Sequence, residues 1–160
     1  MDLGIDSFKI EGRMKTIHYV ASVVSVYRRI MDGEDIPAEE SLKLLSRVNN
    51  RGYSYGFMKG GVTPEDYSQG ENSTNSTSTF VANYLSHTKD GTTLRVRNRI
   101  FAGDKLEVLS PDGKIYEMEM PKPFTKKDGT HSAVVQNEDE IIIKDKVQPY
   151  SLFRKVKEDK

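Results

Sequence analysis

A run of ten residues without an apolar side chain divides this sequence into two regions with different patterns. The run covers residues 69–78, reads QGENSTNSTS, and ends in seven Ser, Thr or Asn residues in succession. Such a segment cannot recover by burial the entropy lost on ordering, so we predict a polar linker over 69–78. Apolar residues recur at helical spacing before it and in short alternating runs after it. The sequence therefore predicts a helical region over 1–68 and a β-rich domain over 79–157.

The first region has the pattern of a short strand followed by two amphipathic helices. Residues Ser7 to Glu11 alternate and predict the strand. Thr16 is the expected N-cap of the first helix, and Pro37 precedes the second, shorter helix. The apolar positions are Ile17, Val20, Val23, Val24, Tyr27, Ile30 and Met31 in the first helix and Leu42, Leu45 and Val48 in the second.

The second region has short alternating runs separated by turn residues such as Lys89-Asp90-Gly91 and Pro111-Asp112-Gly113. Strands of five to eight residues at this spacing favour a small antiparallel barrel or sandwich of six or seven strands. A closed barrel would also remove exposed strand edges, so we predict a barrel and an α+β chain overall. The predicted strands are Thr79–Ser86, Thr92–Arg97, Lys105–Leu109, Ile115–Met120, Ser132–Gln136, Glu140–Lys144 and Ser151–Val156.

Composition excludes several classes of site in this chain. The absence of cysteine rules out disulfides, a thiol nucleophile and a cysteine-held iron–sulfur cluster. His18, His87 and His131 lie too far apart to suggest a metal site, and we expect each of them on the surface. No zinc-protease, serine-hydrolase or phosphate-loop motif is present, and no apolar stretch approaches the roughly 20 residues that span a bilayer. We predict no metal, no cofactor bound by this chain, and no membrane association.

Three separated blocks resemble the collagenase-like peptidase family, family thirty-two of the peptidases with unassigned catalytic type. The first block is Gly4 to Lys15, which contains Lys-Ile-Glu-Gly-Arg, and it continues in Tyr19-Val20-Ala21 and Val26-Tyr27-Arg28. The second is Asn50-Arg51-Gly52-Tyr53 with Tyr55-Gly56-Phe57. The third comprises Arg97-Asn98-Arg99, Phe101, Gly103-Asp104, Leu106-Glu107 and Pro111-Asp112-Gly113.

This resemblance implies an upstream catalytic β/α-barrel domain, whose last strand and helices would lie in 1–68. It also implies a C-terminal barrel similar to domain two of translation elongation factors. Family members include proteases, some of them collagenases, and proteins that hydroxylate tRNA or rRNA bases using prephenate and iron–sulfur cysteines. The presumed catalytic residues and cofactors would lie upstream of Met1, so we predict that this chain alone is not catalytic.

Lys9, Glu11 and Arg13 are candidate active-site residues of the full-length protein only. At the carboxyl end of a barrel strand, Glu11 could act as an acid or base while the two cations bind a carboxylate or phosphate. The structural alternative is an ion pair that closes the end of the strand. A single strand cannot preorganise a site, so no catalytic role is predicted within this chain.

Two residue sets are candidate substrate-binding surfaces. Arg95, Arg97 and Arg99 are two apart, so on a regular strand they share a face and could follow an RNA backbone. The alternative is a solvated face whose charges pair across the sheet with Glu107, Glu117 and Glu119.

The second set, the aromatic side chains Tyr53, Tyr55 and Phe57, could stack on a base or hold a proline-rich, collagen-like peptide. The alternative, which the pattern favours, is packing against a neighbouring domain, and exposure of this patch would promote homo-oligomers.

Two functions from different classes remain open. The first is a non-catalytic accessory domain that binds substrate or forms a lid for a peptidase. The second is an RNA-facing module of a tRNA or rRNA base-hydroxylating enzyme. The expected partners are the upstream catalytic domain and either a protein or an RNA substrate, and the expected location is cytoplasmic because no secretory signal is apparent.

Overall fold

The computed structural model describes residues 4, 6–50, 52–53, 57, 60–61 and 75–157. Two helices come first, α1 over Ile17–Met31 and α2 over Ala38–Leu45. The strands are β1 Ser78–Thr88, β2 Gly91–Val96, β3 Ile100–Phe101, β4 Lys105–Leu109, β5 Ile115–Glu119, β6 Phe124–Lys126, β7 His131–Ser132, β8 Val134–Val135, β9 Glu140–Ile143 and β10 Leu152–Val156. The described part of the chain is thus a helix pair followed by an antiparallel β domain.

Local sequence signals set both ends of α1. The hydroxyl oxygen of Thr16 accepts a hydrogen bond from the Tyr19 backbone N–H at 3.2 Å, which confirms the predicted N-cap. At the other end, Gly33 follows the C-cap Asp32 with φ of 86°, a left-handed conformation that costs glycine little. The predicted bounds of this helix are therefore correct.

The buried face of α1 differs from the expected apolar stripe. Only Val23 of the seven predicted apolar positions is buried. The buried residues are His18, Ser22, Val23 and Val26. The β domain presents the ring of Phe80 and the guanidinium of Arg154 to this helix, and those groups match His18 and Ser22 better than they match valine or isoleucine.

Two predictions before the β domain have different outcomes. The predicted strand Ser7 to Glu11 is wrong, because these residues have no strand partner in the described part of the chain. Most of the predicted linker, residues 69–74, lies outside the described residues. Its last part does not: Asn75 bridges to Asn50, and the Thr77 N–H donates to the Ser46 carbonyl at 2.9 Å. These bonds tie the start of β1 to the end of α2.

The β domain is an open sheet and not the predicted closed barrel. Eight strands form one antiparallel sheet in the order β5-β4-β10-β1-β2-β9-β6-β7, and β3 pairs with β8 separately. The end strands β5 and β7 are not paired with each other. Register shifts at Phe80/Ala82 and Tyr84/Ser86 bend β1, so the sheet curves without closing. A resemblance to domain two of elongation factors is not shown.

The core of the β domain lies on the inner face of this curved sheet. Gly91 starts β2 so close to β9 that a Cβ atom would lie 2.2 Å from the Ile143 carbonyl oxygen. The main cluster consists of Val81, Ala82, Leu94, Val96, Ile100, Leu106, Val108, Met120, Phe124, Val135, Ile141, Ile143, Val147 and Phe153. A smaller cluster of Val23, Val26, Leu45 and Val48 joins the two helices.

Candidate functional site

The three candidates near the start of the chain are exposed and form only a weak local pair. The Nζ atom of Lys9 lies 3.6 Å from a carboxylate oxygen of Glu11, and both side chains are more than half exposed. Glu11 also accepts the Arg13 backbone N–H at 3.2 Å. This arrangement is the predicted ion pair, although no strand lies beneath it. An exposed pair of this kind contributes little stability or preorganisation.

The predicted arginine ridge is largely neutralised by carboxylates. Arg95 donates to Glu140 at 2.6 Å, and Arg97 donates to Glu138 at 3.0 Å and to the Asn83 side-chain oxygen at 3.0 Å. The hydrogen bond from Arg95 raises its pKa, while bonds from Lys127 and Arg95 lower the pKa of Glu140. The two guanidinium groups are therefore already paired.

The same surface holds a second layer of matched charges. Lys126 pairs with Asp139 at 2.8 Å, and Lys127 pairs with Glu140 at 2.6 Å. We call the set Arg95, Arg97, Lys126, Lys127, Glu138, Asp139 and Glu140 the paired cluster. Arg99 lies beyond the end of β2 and is exposed.

The carboxylates that balance the arginines are not the predicted ones. Glu107 pairs instead with Arg47 and Arg154, and Glu119 pairs with Lys122. Glu117 is the register partner of Glu107 across β4 and β5. Prediction of Glu107, Glu117 and Glu119 as partners is wrong because β9, and not β4 or β5, lies beside β2.

Two of the three predicted aromatic residues can be placed, whereas Tyr55 lies outside the described residues. Phe57 is 81% exposed and Tyr53 is 53% exposed. Tyr53 lines a pocket together with Tyr19 and Tyr27 of α1, and burial followed by the proximity of these two tyrosines raises its pKa. Tyr53 thus packs on the helix, while Phe57 presents its ring to solvent.

A buried charge cluster joins the helices to the sheet. Arg154 on β10 is 1% exposed and donates from Nε to Glu107 at 2.9 Å and from Nη1 to the Ser22 hydroxyl at 3.4 Å. Arg47, just after α2, donates to the other oxygen of Glu107 at 3.1 Å. We call Arg47, Glu107 and Arg154 the junction cluster. Its two guanidinium groups share one carboxylate, so it carries an excess positive charge.

His18 lies beside this cluster and is not the surface residue that was expected. Its ring stacks on Phe80, with ring centroids 5.2 Å apart and planes within 6°. Burial and then the charge of Arg154 lower the pKa of His18 to about 4. The imidazole is therefore neutral at physiological pH and adds no charge to the junction. The exposure predicted for His87 and His131 is confirmed.

A pocket opens on the surface above the junction cluster, between the start of α1 and the start of β1. We call it the junction pocket; it has a volume of about 450 Å³. Its lining includes Lys15, His18, Arg47 and Lys157, together with hydroxyl and amide side chains, and no carboxylate among the described residues. Lys15 lies over the Tyr19 ring at 5.1 Å. This lining suits an anionic ligand.

The junction residues could not be found by local motif reading. Lys15, Arg47 and Lys157 lie far apart in the sequence and meet only because α1, α2 and the ends of the sheet converge. One sequence feature pointed to Arg154: it directly follows the apolar pair Leu152-Phe153. A cation in such a strand indicates burial against a partner of opposite charge. Burial lowers the pKa of Arg154 and Glu107 opposes that effect, so the guanidinium stays charged.

The described residues lack two further classes of site. They contain no group of three or more His, Asp or Glu side chains placed to hold a metal ion. Within that same part of the chain, neither helix is long and apolar enough to cross a membrane.

Comparison with family models defines the class of protein. Residues 1–68 match the model described as Peptidase family U32, and residues 76–154 match the Peptidase family U32 C-terminal domain. This chain belongs to peptidase family U32. The predicted family resemblance is thereby confirmed.

Similar proteins have names that refer to tRNA. The chain is 39% identical over 120 residues to tRNA hydroxylation protein P1 of Bacillus subtilis, covering 70% of this chain and 28% of that protein. It is 34% identical over 119 residues to tRNA hydroxylation protein P of Escherichia coli, covering 71% of this chain and 26% of that protein. The chain thus spans little more than a quarter of the length of either protein.

A solved structure also matches part of the chain. It is the C-terminal domain of a Geobacillus thermoleovorans protein assigned to the U32 peptidases. The match covers 48% of this chain and 90% of that domain, with 21% identity and a TM-score of 0.41.

Proposed function

We propose that this chain is the tRNA-facing accessory module of a U32-family protein that takes part in tRNA hydroxylation. The observation that carries the proposal is the 39% and 34% identity to two tRNA hydroxylation proteins. The chemistry of hydroxylation is assigned to other parts of the full-length protein, since this chain spans only 28% and 26% of the two relatives. The role of the module is to contact tRNA and orient it for the catalytic domain, and the proposed location is cytoplasmic.

The charge distribution supports tRNA as the ligand. Binding of a nucleic acid depends on cations that are free to replace counterions at phosphates. The paired cluster offers few such cations because its arginines already bind Glu138 and Glu140. Lys15 and Lys157 at the junction pocket have no carboxylate partner among the described residues. Phosphate contacts are therefore assigned mainly to the junction side of the module, with Arg99 as an additional exposed contact.

A parallel binding measurement tests this function. The purified chain is applied to immobilised tRNA and immobilised gelatin at low and at moderate salt. We expect retention on tRNA that weakens steeply as salt rises, and no retention on gelatin. Retention on gelatin alone would overturn the proposal in favour of a substrate-holding domain of a peptidase. No retention on either matrix would also overturn it and leave a lid for the catalytic domain.

The predicted arginine ridge can be tested in the same assay. In the variant with Arg95, Arg97 and Arg99 all replaced by Gln, the slope of log affinity against log salt concentration should become less steep. The change should correspond to the loss of about one phosphate contact and not three. The reason is that two of the three guanidinium groups are paired with carboxylates. A loss of three contacts would show that tRNA displaces Glu138 and Glu140.

The exposed aromatic ring of Phe57 carries the prediction of self-association. It is 81% exposed, as expected for a residue that normally packs on another surface. Replacing Phe57 by Ser should shift the sedimentation behaviour of the chain toward monomer. An unchanged distribution between monomer and oligomer would remove this ring from any interface between copies.

A further inference from the structure

We propose that the junction pocket is a phosphate-binding site, and that in the tRNA complex it holds one phosphodiester of the RNA backbone. This inference rests on the proposed function and assigns it to a particular place in the fold. The pocket lies where four elements of the chain meet, at the start of α1, just after α2, and at the two neighbouring ends of β1 and β10. The pocket is therefore formed jointly by the helix pair and the β domain.

The surroundings of the junction pocket carry an excess of positive charge. Four cations, Lys15, Arg47, Arg154 and Lys157, line the pocket or lie directly behind it, and Glu107 is the carboxylate that binds Arg47 and Arg154. Neutral His18 adds no positive charge and no acidic residue of the described chain lines the pocket. The excess of three positive charges lies partly in a low-dielectric environment, where an anion is attracted more strongly than at an open surface.

Two buried nitrogen atoms at the junction pocket have no hydrogen-bond partner among the described residues, and that of Arg47 is a donor. They are the Nε atom of Arg47 and the Nε2 atom of His18. Both residues line the junction pocket. A buried donor left without a partner costs free energy, and an oxyanion that enters the pocket offers acceptors to Arg47. Arg47 is held in place by Glu107 at 3.1 Å and by Thr77 at 3.4 Å, so its guanidinium is preorganised.

The lining of the junction pocket differs in charge from that of the pocket beside the paired cluster. The paired cluster also contains a buried arginine nitrogen, Nε of Arg95, for which the described ranges supply no hydrogen-bond partner. The pocket beside that cluster, however, is lined by four carboxylates and two lysines. An anion there would meet repulsion from Asp128, Glu138, Asp139 and Glu140. The junction pocket is the site at which the lining favours a phosphate.

The size and rim of the pocket favour a phosphate that belongs to a larger molecule. A volume of about 450 Å³ exceeds what an inorganic phosphate needs and accommodates an attached ribose or base. The rim carries the half-buried Tyr19 ring and the side chains of Asn49 and Asn98, which can contact a nucleoside. Lys157 is oriented by a hydrogen bond of 2.7 Å to the Ser76 carbonyl.

The test uses the double variant Lys15→Gln/Lys157→Gln. Both side chains are exposed, so the variant should keep the unfolding midpoint of the native chain. The matched control is Lys89→Gln/Lys144→Gln, which removes the same charge from two exposed lysines away from the pocket. A second variant, Lys15→Arg/Lys157→Arg, keeps the charge and guards against a purely structural effect.

For tRNA at about 0.1 M salt, we expect the double Gln variant to lose about tenfold in affinity and about two units of salt slope. The control and the Arg variant should stay within about twofold of the native chain. If the native chain binds tRNA and the double Gln variant binds equally well, the junction pocket is not the contact and the proposed function still stands. If the native chain does not bind tRNA, the proposed function fails.

A second measurement, with small phosphate compounds, distinguishes a phosphodiester of RNA from a free nucleotide as the ligand of the pocket. Inorganic phosphate and a nucleoside monophosphate are compared with chloride at equal ionic strength, with the unfolding midpoint as the readout. A rise in the midpoint that requires Lys15 and Lys157 supports a phosphate site even if tRNA does not bind, and then assigns it to a free nucleotide. No rise with either compound, together with unchanged tRNA affinity in the double Gln variant, overturns the proposal.

Discussion

The paired cluster and the junction cluster use the same residue types in opposite ways. At the paired cluster, Arg97 pairs with Glu138 and Lys126 pairs with Asp139, while Glu140 accepts from both Arg95 and Lys127. At the junction cluster, Arg47 and Arg154 share Glu107, and the arginine on β10 is almost completely buried. The first surface is partly exposed and has three carboxylates for four cations, whereas the second is more deeply buried and has one carboxylate for two guanidinium groups. Arginine content alone therefore does not identify a nucleic-acid contact.

The difference also concerns stability. An exposed ion pair gains little because water and salt screen it. A buried guanidinium that loses its carboxylate retains the full cost of desolvation, since it cannot return to water without disrupting the fold. The junction cluster should thus determine whether the helix pair docks on the β domain, while the paired cluster should be nearly neutral to folding.

The largest expected effect follows from removing the shared carboxylate. Glu107→Gln leaves two guanidinium groups without a counterion in a buried environment, and should lower the free energy of unfolding by about 3 to 5 kcal/mol. The measurement is urea unfolding followed by circular dichroism at neutral pH. The matched variant Glu140→Gln, in the paired cluster, should leave the urea midpoint nearly unchanged. Equal effects of the two variants would erase the proposed difference between the clusters.

The next effect is the dependence of stability on pH. The pKa of His18 is about 4 in the folded chain against 6.5 for an ordinary histidine. Between these values the unfolded state binds the proton and the folded state does not, so stability is highest above pH 6.5 and falls as the pH is lowered to 4. The loss amounts to up to about 3 kcal/mol, added to the effects of the carboxylates.

The variant His18→Phe isolates this effect, because it keeps an aromatic ring against Phe80 and removes the titrating group. Its urea midpoint should change less between pH 6.5 and pH 4 than that of the native chain. His87→Gln, which alters an exposed histidine, should keep the native profile. A native-like slope in His18→Phe would mean that another group is responsible.

Much of the fold could be predicted from local sequence signals. The cap at Thr16, the turn at Lys89-Asp90 and the bounds of β4 follow from capping, turn chemistry and alternation. The strands β3 and β6 were missed, because two or three residues carry no measurable period. The prediction of a closed barrel was wrong because alternation indicates where strands lie but not whether the two edge strands pair with each other.

The candidate site was harder to predict for a physical reason. Residues 15, 47 and 157 are separated by most of the chain, and no local pattern marks their convergence. The arginine ridge was visible because its members are two residues apart, but their carboxylate partners lie more than forty residues later, at the start of β9 and in the turn before it. His18 was assigned to the surface because it follows Ile17 at the start of a helix, whereas its ring in fact stacks on Phe80.

The smallest expected effect comes from removing one carboxylate charge from the paired cluster, which leaves it with unpaired cations like those of the junction cluster. Glu140 accepts from both Arg95 and Lys127, so Glu140→Gln should release two cations at the paired cluster. We expect the affinity for tRNA at low salt to rise about threefold, and the gain to disappear at moderate salt. Filter binding at two salt concentrations measures this effect. A decrease in affinity would indicate that Glu140 orients Arg95 for a contact with RNA.

The comparison can be tested most directly by observing both clusters in one spectrum. In an arginine-labelled sample, the Nε–H resonances of Arg47 and Arg95 report the two environments, since both nitrogens are buried and neither has a hydrogen-bond partner in the part of the chain that the structure describes. On titration with tRNA, we predict that the Arg47 resonance shifts because its N–H donates to a phosphate, while the Arg95 resonance stays in place. A shift of Arg95 with no change at Arg47 would contradict the account.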